Sequence, residues 1–269
     1  MSLSKENITF LKLFVEEKSG IKITDDKEYL LSSRLSPLIK KFSFENFNDL
    51  VLAIRTNKKD VISDAIEALT TNETHFFRDI KPFEFFQNEI LEKQFSLNQH
   101  LNKIRILSAA CSSGQEAYSL AIAMLENKSV TQKFEIVGID INKKMVEKAR
   151  QGIFSQFEIQ RGLPTSHLLK YFDKIGENEW KIKPQLSSYC SFFEKNLFSK
   201  ISDLGMFDVI FCRNVLIYFD EKKKKDALKI ILECLKSGCY ILLGASETTN
   251  LLPDQLEQNL LMRSAFRKL

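Results

Sequence analysis

A chain of 269 residues, 44% hydrophobic and 28% charged, has room for one large domain or for a medium domain with a small one. These are ordinary globular values, and a formal charge of +4 demands neither a nucleic acid nor an anionic membrane as partner. Five cysteines without a C-x-x-C pair and three scattered histidines (His75, His100 and His167) argue against a metal cluster and for free thiols in a reducing cytoplasm. Met1 to Phe10 lacks the apolar core of a signal peptide, and no apolar run approaches the length of a membrane span, so a cytoplasmic protein is expected.

Residues 1–85 read as an all-helical domain. Phe10, Leu11, Phe14 and Val15 recur at helical spacing, as do Leu50, Val51 and Ile54, and then Val61, Ile62, Ala65, Ile66 and Leu69. Thr24-Asp25-Asp26 has the form of an N-cap with acids in the first turn, whereas Pro37 speaks against one unbroken helix through residues 34–41. From about residue 100 strands alternate with helices. The strands are expected at 104–107, 134–140, 207–212 and 240–243, and the helices at 118–125, 143–150 and 222–235. Such alternation predicts a parallel sheet with helices on both faces and right-handed crossovers. Residues 152–190, with the only tryptophan in the alternating run Trp180-Lys181-Ile182-Lys183, read as a small β-subdomain inserted into a second domain spanning 86–269.

Three polar segments carry the chemistry. Ser108-Ala109-Ala110-Cys111-Ser112-Ser113-Gly114-Gln115-Glu116-Ala117-Tyr118-Ser119 falls at the carboxyl end of the first strand, where a doubly wound sheet binds its ligand. It has one glycine rather than G-x-G-x-x-G, and Glu116 at its helix start would repel a pyrophosphate, which disfavours a dinucleotide and a dehydrogenase. Asp140 ends the second strand 24 residues after Glu116, the place of an acid that accepts from ribose hydroxyls; capping of the next helix is its alternative role. The other two segments are Thr71-Asn72-Glu73-Thr74-His75-Phe76-Phe77-Arg78-Asp79 and Phe207-Asp208-Val209-Ile210-Phe211-Cys212-Arg213-Asn214-Val215-Leu216-Ile217-Tyr218-Phe219-Asp220.

Taken in order, these segments resemble the CheR family of chemoreceptor glutamate O-methyltransferases, and the resemblance extends over nearly the whole chain. It implies an α/β fold in which a small all-helical N-terminal domain precedes a Rossmann-like class I methyltransferase domain with a small inserted β-subdomain. It implies S-adenosylmethionine as methyl donor, S-adenosylhomocysteine as product, and no metal. By matching motifs, Asn72, Thr74, Arg78, Glu116, Asp140, Asn196, Leu197, Arg213 and Asn214 are its expected cofactor contacts. The family usually has Gly, Thr and Pro where Ala110, Ser113 and Ala117 stand here; the added methyl of Ala110 bears on cofactor affinity.

A glutamate carboxylate, with an ordinary pKa of about 4.3, is ionised at neutral pH and needs no general base to attack a sulfonium methyl. Catalysis is then alignment and water exclusion, worth roughly 7–11 kcal/mol. Arg78 and Tyr218 are the candidates for the reacting face, Arg78 orienting the substrate carboxylate and Tyr218 walling the methyl; their alternatives are an ion pair with Asp79 and a core aromatic. Phe76 and Phe77 read as packing residues.

The partner implied is the acidic cytoplasmic helical bundle of methyl-accepting chemotaxis receptors, with no nucleic acid, no membrane insertion, and a monomeric enzyme. Arg34, Lys40 and Lys41 match the family's basic receptor-facing helix, with a solvated charged face as the alternative; for the Lys222–Lys225 run the solvated face is favoured. The short acidic loop around Gly176-Glu177-Asn178-Glu179 argues against docking a receptor tail on the insertion. A non-catalytic adaptor with the same fold, or a methyltransferase of another macromolecule, is the competing reading.

Overall fold

Helix formation dominates the first seventy residues because their apolar side chains recur every three to four positions. In the computed structural model, which describes residues 3–95, 103–129, 131–247, 252 and 254–269, these are α1 (Lys5–Ser19), α2 (Tyr29–Lys41), α3 (Phe47–Arg55) and α4 (Lys59–Leu69). His100 lies outside the described residues. The Ser4 hydroxyl accepts the Asn7 N–H at 3.2 Å to start α1, and Asn46 and Asp49 form a reciprocal capping box at α3. Thr24 leads a single 3-10 turn, Asp25–Lys27. Leu11, Leu31, Leu35, Leu50 and Ala65 close a core of their own. Pro37 does not interrupt α2, contrary to the sequence expectation. The carbonyl of Ser33, which the imino nitrogen of Pro37 cannot reach with a proton, accepts the Ser36 hydroxyl at 3.2 Å.

The chain forms two compact units, one of Met1–Thr71 with Tyr218–Lys224 and the other of Asn72–Ile217 with Lys225–Leu269. The division therefore falls at Thr71, not at residue 85. Phe76, Phe83 and Phe85 explain the difference, for all three are buried in the apolar core of the second unit.

That unit opens with α5 (Lys81–Phe85), which runs into a π-helical segment, Phe86–Phe95. There follow β1 (Lys103–Ala109), α6 (Gln115–Glu126), β2 (Lys133–Asp140) and α7 (Lys143–Gln151). The insertion contributes β3 (Ile153–Ser155), α8 (Gln156–Gln160), α9 (Thr165–Tyr171), β4 (Phe172–Lys174), β5 (Glu179–Ile182) and α10 (Pro184–Ser187), with its own antiparallel sheet in the order β3-β5-β4. The main sheet resumes with β6 (Cys190–Glu194), β7 (Phe207–Cys212), α11 (Glu221–Glu233), β8 (Leu235–Leu243), β9 (Leu256–Gln258) and β10 (Ala265–Lys268).

Its seven strands run in the order β6-β2-β1-β7-β8-β10-β9, parallel from β6 to β8 and antiparallel at β10 and β9. The sequence reading missed the β9–β10 pair, whose strands of three and four residues are too short for alternation to register. Register places Ala109 beside Ile139 and Cys212, and Cys212 beside Leu243. The loops after β1, β2, β7 and β8 therefore leave one edge of the sheet together, the edge at which such sheets bind ligands.

Candidate active site

Backbone strain marks this edge. Seven non-glycine residues among those described have φ in the left-handed region, and five of them belong to the three polar segments: Phe77, Asp79, Ala110, Ser112 and Asn214. Each such residue costs of order 1 kcal/mol or more and persists only where its surroundings hold it. Ala110, at φ 59°, occupies the conformation that glycine adopts most readily, which accounts for the glycine that the resemblance expects there. Gly114, at φ 94°, closes the same turn; a Cβ on it would lie 2.9 Å from that of Ala149, so this glycine serves the packing of α6 on α7. Gly138 likewise makes room for the Phe192 ring, not for a ligand.

Asp140 is held by backbone. The Ser112 N–H donates to its Oδ2 at 2.7 Å and the Asn142 N–H to its Oδ1 at 2.8 Å. Burial pushes its carboxyl above the ordinary aspartate value, opposed by the amides of Asn142, Ser112 and Ile141. Asp140 does not cap α7; Asn142 does, accepting the Met145 N–H. Each Asp140 oxygen takes one amide in these bonds and retains a lone pair for a hydroxyl donor. The Lys195 N–H donates to the Asp140 carbonyl at 2.9 Å, which sets Asn196 and the buried Leu197 beside it. The Ser112 hydroxyl donates to the Asn72 carbonyl at 3.0 Å, bringing the first polar segment to the same place.

Glu116 and Arg213 form a buried pair. Arg213, its side chain 1% exposed, donates to Glu116 Oε2 at 3.1 Å, to the Arg78 carbonyl at 2.8 Å and to Asp79 at 2.9 Å. The Ser108 hydroxyl donates to Glu116 Oε1 at 2.8 Å. Burial raises the Glu116 pKa against the opposing pull of the Arg213 guanidinium and the Ser108 bond. Arg213 thus ties three polar segments together from within, and its buried Nε has no protein hydrogen-bond partner. Asp79, which the sequence reading considered only as an alternative ion-pair partner of Arg78, pairs with Arg213. Arg78 is half-buried and donates to the Glu73 carbonyl at 2.8 Å. His75 Nδ1 is buried without a protein partner, and burial lowers its pKa. Phe76 is packing, as its sequence suggested.

Thr74 is half-buried within the first polar segment. Tyr218 lies in the first compact unit, where its carbonyl accepts the Lys22 N–H at 2.9 Å. In that unit Arg34 donates to the carbonyls of Leu69 (3.0 Å) and Thr70 (3.2 Å), capping the end of α4. Lys40 and Lys41 are both exposed, and Lys41 pairs with the largely buried Asp64. The residue that sequence reasoning missed altogether is Glu247. Its buried carboxylate accepts four backbone N–H groups, from Asn214, Val215, Ile217 and Gly244. The available signal was an acid one turn beyond a buried strand, in Gly244-Ala245-Ser246-Glu247.

This doubly wound sheet, in the order β6-β2-β1-β7-β8-β10-β9 and without a G-x-G-x-x-G turn after β1, has the architecture of a Rossmann-like class I methyltransferase. Comparison with known proteins narrows this further. Residues 72–264 match the CheR methyltransferase SAM-binding domain and residues 6–70 the CheR methyltransferase all-alpha domain, so the chain belongs to the CheR methyltransferase family. Chemotaxis protein methyltransferase 1 of Pseudomonas aeruginosa is 38% identical over 96% of this chain and 95% of its own length. Chemotaxis protein methyltransferase Cher2 of Pseudomonas putida is 38% identical over 95% of each, and the chemotaxis protein methyltransferase of Borreliella burgdorferi 34% over 92% of this chain and 90% of its own. The residues present suit S-adenosylmethionine: Asp140 has acceptor capacity for ribose hydroxyls, and Arg213 carries an unsatisfied donor. Among the described residues no group of three or more His, Cys, Asp or Glu is placed to hold a metal, and no helix is long and apolar enough to cross a membrane.

Proposed function

We propose that this chain methylates glutamate side chains on the cytoplasmic helical bundle of chemotaxis receptors, giving glutamate methyl esters and S-adenosylhomocysteine, and that it acts as a cytoplasmic monomer. S-adenosylmethionine supplies an electrophilic methyl on a sulfonium. The observation that carries the reading is the convergence of Asn72, Glu116, Asp140 and Arg213 at the carboxyl edge of a sheet that belongs to a SAM-binding domain.

In this reading Asp140 accepts from the ribose hydroxyls, and Asn196 and Leu197 flank the adenine. Asn72, Thr74 and Asn214 complete the contacts, and Arg213 and Glu116 hold the pocket's wall. Arg78 orients the incoming carboxylate with its planar donor fork, and Tyr218 walls the methyl. Neither is asked to move a proton, since the nucleophile is already ionised. Arg78 must hold the ground-state carboxylate loosely, because binding it as tightly as the transition state would not raise turnover. On α2, Lys40 offers an exposed cation to the acidic receptor surface, while Arg34 and Lys41 keep the helix in place.

The test is transfer of labelled methyl from S-adenosylmethionine to receptor-containing membranes. Label that enters the receptor and leaves as methanol in mild alkali is the expected result. Cofactor binding with no transfer to receptor would refute the substrate, and absence of cofactor binding would leave the non-catalytic adaptor.

A further inference from the structure

Glu247 stands in a loop that none of the three motif segments includes. It follows β8 by four residues, and a turn closed by its own N–H donating to the Gly244 carbonyl at 2.9 Å folds the side chain back over the edge of the sheet. Oε2 accepts the N–H groups of Gly244 (2.6 Å) and Asn214 (2.9 Å), and Oε1 those of Val215 (2.9 Å) and Ile217 (3.2 Å). Three of the four donors follow directly on β7, the last of them, Ile217, inside a single 3-10 turn, Leu216–Tyr218. Their N–H groups converge on the carboxylate as a backbone nest converges on an anion. Position 244 is part of the device: a Cβ there would lie 2.7 Å from Glu247 Oε2 and 3.0 Å from the Asn214 nitrogen.

The sheet does not need this tie. Cys212 at the end of β7 is already registered against Ala109 of β1 and Leu243 of β8. Beyond β7 come Asn214, with φ 59°, and a single 3-10 turn, Leu216–Tyr218. A left-handed residue that precedes such a turn, and does not stand at a helix C-terminus, needs an outside constraint, and Glu247 supplies it through the N–H groups of Asn214 and Val215.

We propose that Glu247 is a positioning residue for the methyl donor: its carboxylate clamps residues 214–217 in the one conformation that presents Asn214 to the cofactor. The proposal rests on the reading of Arg213-Asn214 as a cofactor-binding segment. Glu247 acts only through the backbone of that loop. A glutamine of the same shape offers two N–H donors where the loop also offers donors, so it cannot reproduce the clamp.

The experiment is calorimetric binding of S-adenosylhomocysteine to the full chain and to Glu247→Gln, with steady-state methylation and amide hydrogen exchange alongside. Wild-type binding with a Kd raised tenfold or more in E247Q, and a KM for S-adenosylmethionine that rises more than kcat falls, is the expected result. A merely structural role would lower Tm and the fraction of active protein without changing the Kd of what remains folded. E247Q binding within twofold of wild type overturns the proposal, while failure of the wild-type chain to bind overturns the cofactor reading beneath it. If E247Q does not fold, exchange in the wild-type chain decides. The amides of Asn214, Val215 and Ile217 must be protected without ligand and slow further with it, and exchange at the rate of an exposed loop refutes the clamp.

Discussion

The two compact units use left-handed backbone for different ends. In the first, Ser43 and Asn57 take positive φ just beyond α2 and α3, and Gly20 does so at the end of α1, where a helix commonly terminates in that conformation. Local caps and an apolar core suffice there. In the second, Phe77, Asp79, Ala110, Ser112 and Asn214 lie in loops, and polar ties reach most of them: Ser119 to the Phe77 amide, Arg213 to Asp79, Asp140 to the Ser112 amide, Glu247 to the Asn214 amide. Strain at a helix end is termination; strain in a loop gripped by buried charge builds a site.

The sharpest way to break this contrast is to set two arginines against each other. Arg213→Ala leaves Glu116 buried without its guanidinium and is expected to cost about 3–5 kcal/mol in urea unfolding. Arg78→Ala removes a half-buried side chain bonded to one carbonyl, so it should keep the fold and abolish methyl transfer. An active Arg78→Ala protein, or an Arg213→Ala protein as stable as wild type, would refute the division of labour.

Asp140 gives the next largest effect. Its carboxyl is raised by burial, so the folded chain holds this proton more tightly than the unfolded chain does. Ionised Asp140 therefore works against stability once the pH passes the unfolded value, and it becomes competent to accept from ribose only as the pH rises through the folded one. Affinity for S-adenosylhomocysteine should fall on acidification at a pH above the ordinary aspartate value of 3.8. Asp140→Asn should bind at least roughly tenfold more weakly, the order of a lost charge-assisted hydrogen bond, and lose that pH dependence. Titrating binding against pH decides.

Two smaller changes sharpen the comparison from each side. Asn46→Ala removes the α3 capping box and should cost about 1 kcal/mol of stability while leaving cofactor affinity unchanged. Ala110→Gly relieves a left-handed alanine at the site, and should tighten cofactor binding with a stability change within about 1 kcal/mol. The smallest effect is expected from Lys40→Ala, which should slow receptor methylation at low salt, leave it unaltered at high salt, and not move Tm.

The sheet was readable in the sequence because its central strands are short apolar runs bounded by small polar turns: the expected strand 207–212 is β7 to the residue, and the Asp140 terminus is that of β2. Pro37 misled because a hydroxyl one residue earlier compensates for it, an interaction that periodicity does not register. The boundary at 85 misled because residues 72–85 look like more helix, although their phenylalanines belong to the other core. Glu247 escaped because its role depends on two neighbouring strands ending level, which only tertiary register reveals. Arg213 was found by motif, but motif could not say that it faces Glu116 and Asp79 from inside the protein.

Gly162 has a consequence for how this chain can vary. At φ 85° it presses against the first polar segment so closely that a Cβ would sit 2.0 Å from the Phe76 carbonyl oxygen, next to the ion pair of Arg161 with Glu73. No side chain fits. Across a saturation library the insertion should therefore accept changes in its hairpin loop and outer faces, yet reject every replacement at position 162. The insertion is free to diverge on its loop and outer faces, but not in its buried core or at the joint where it meets the segment that carries Arg78.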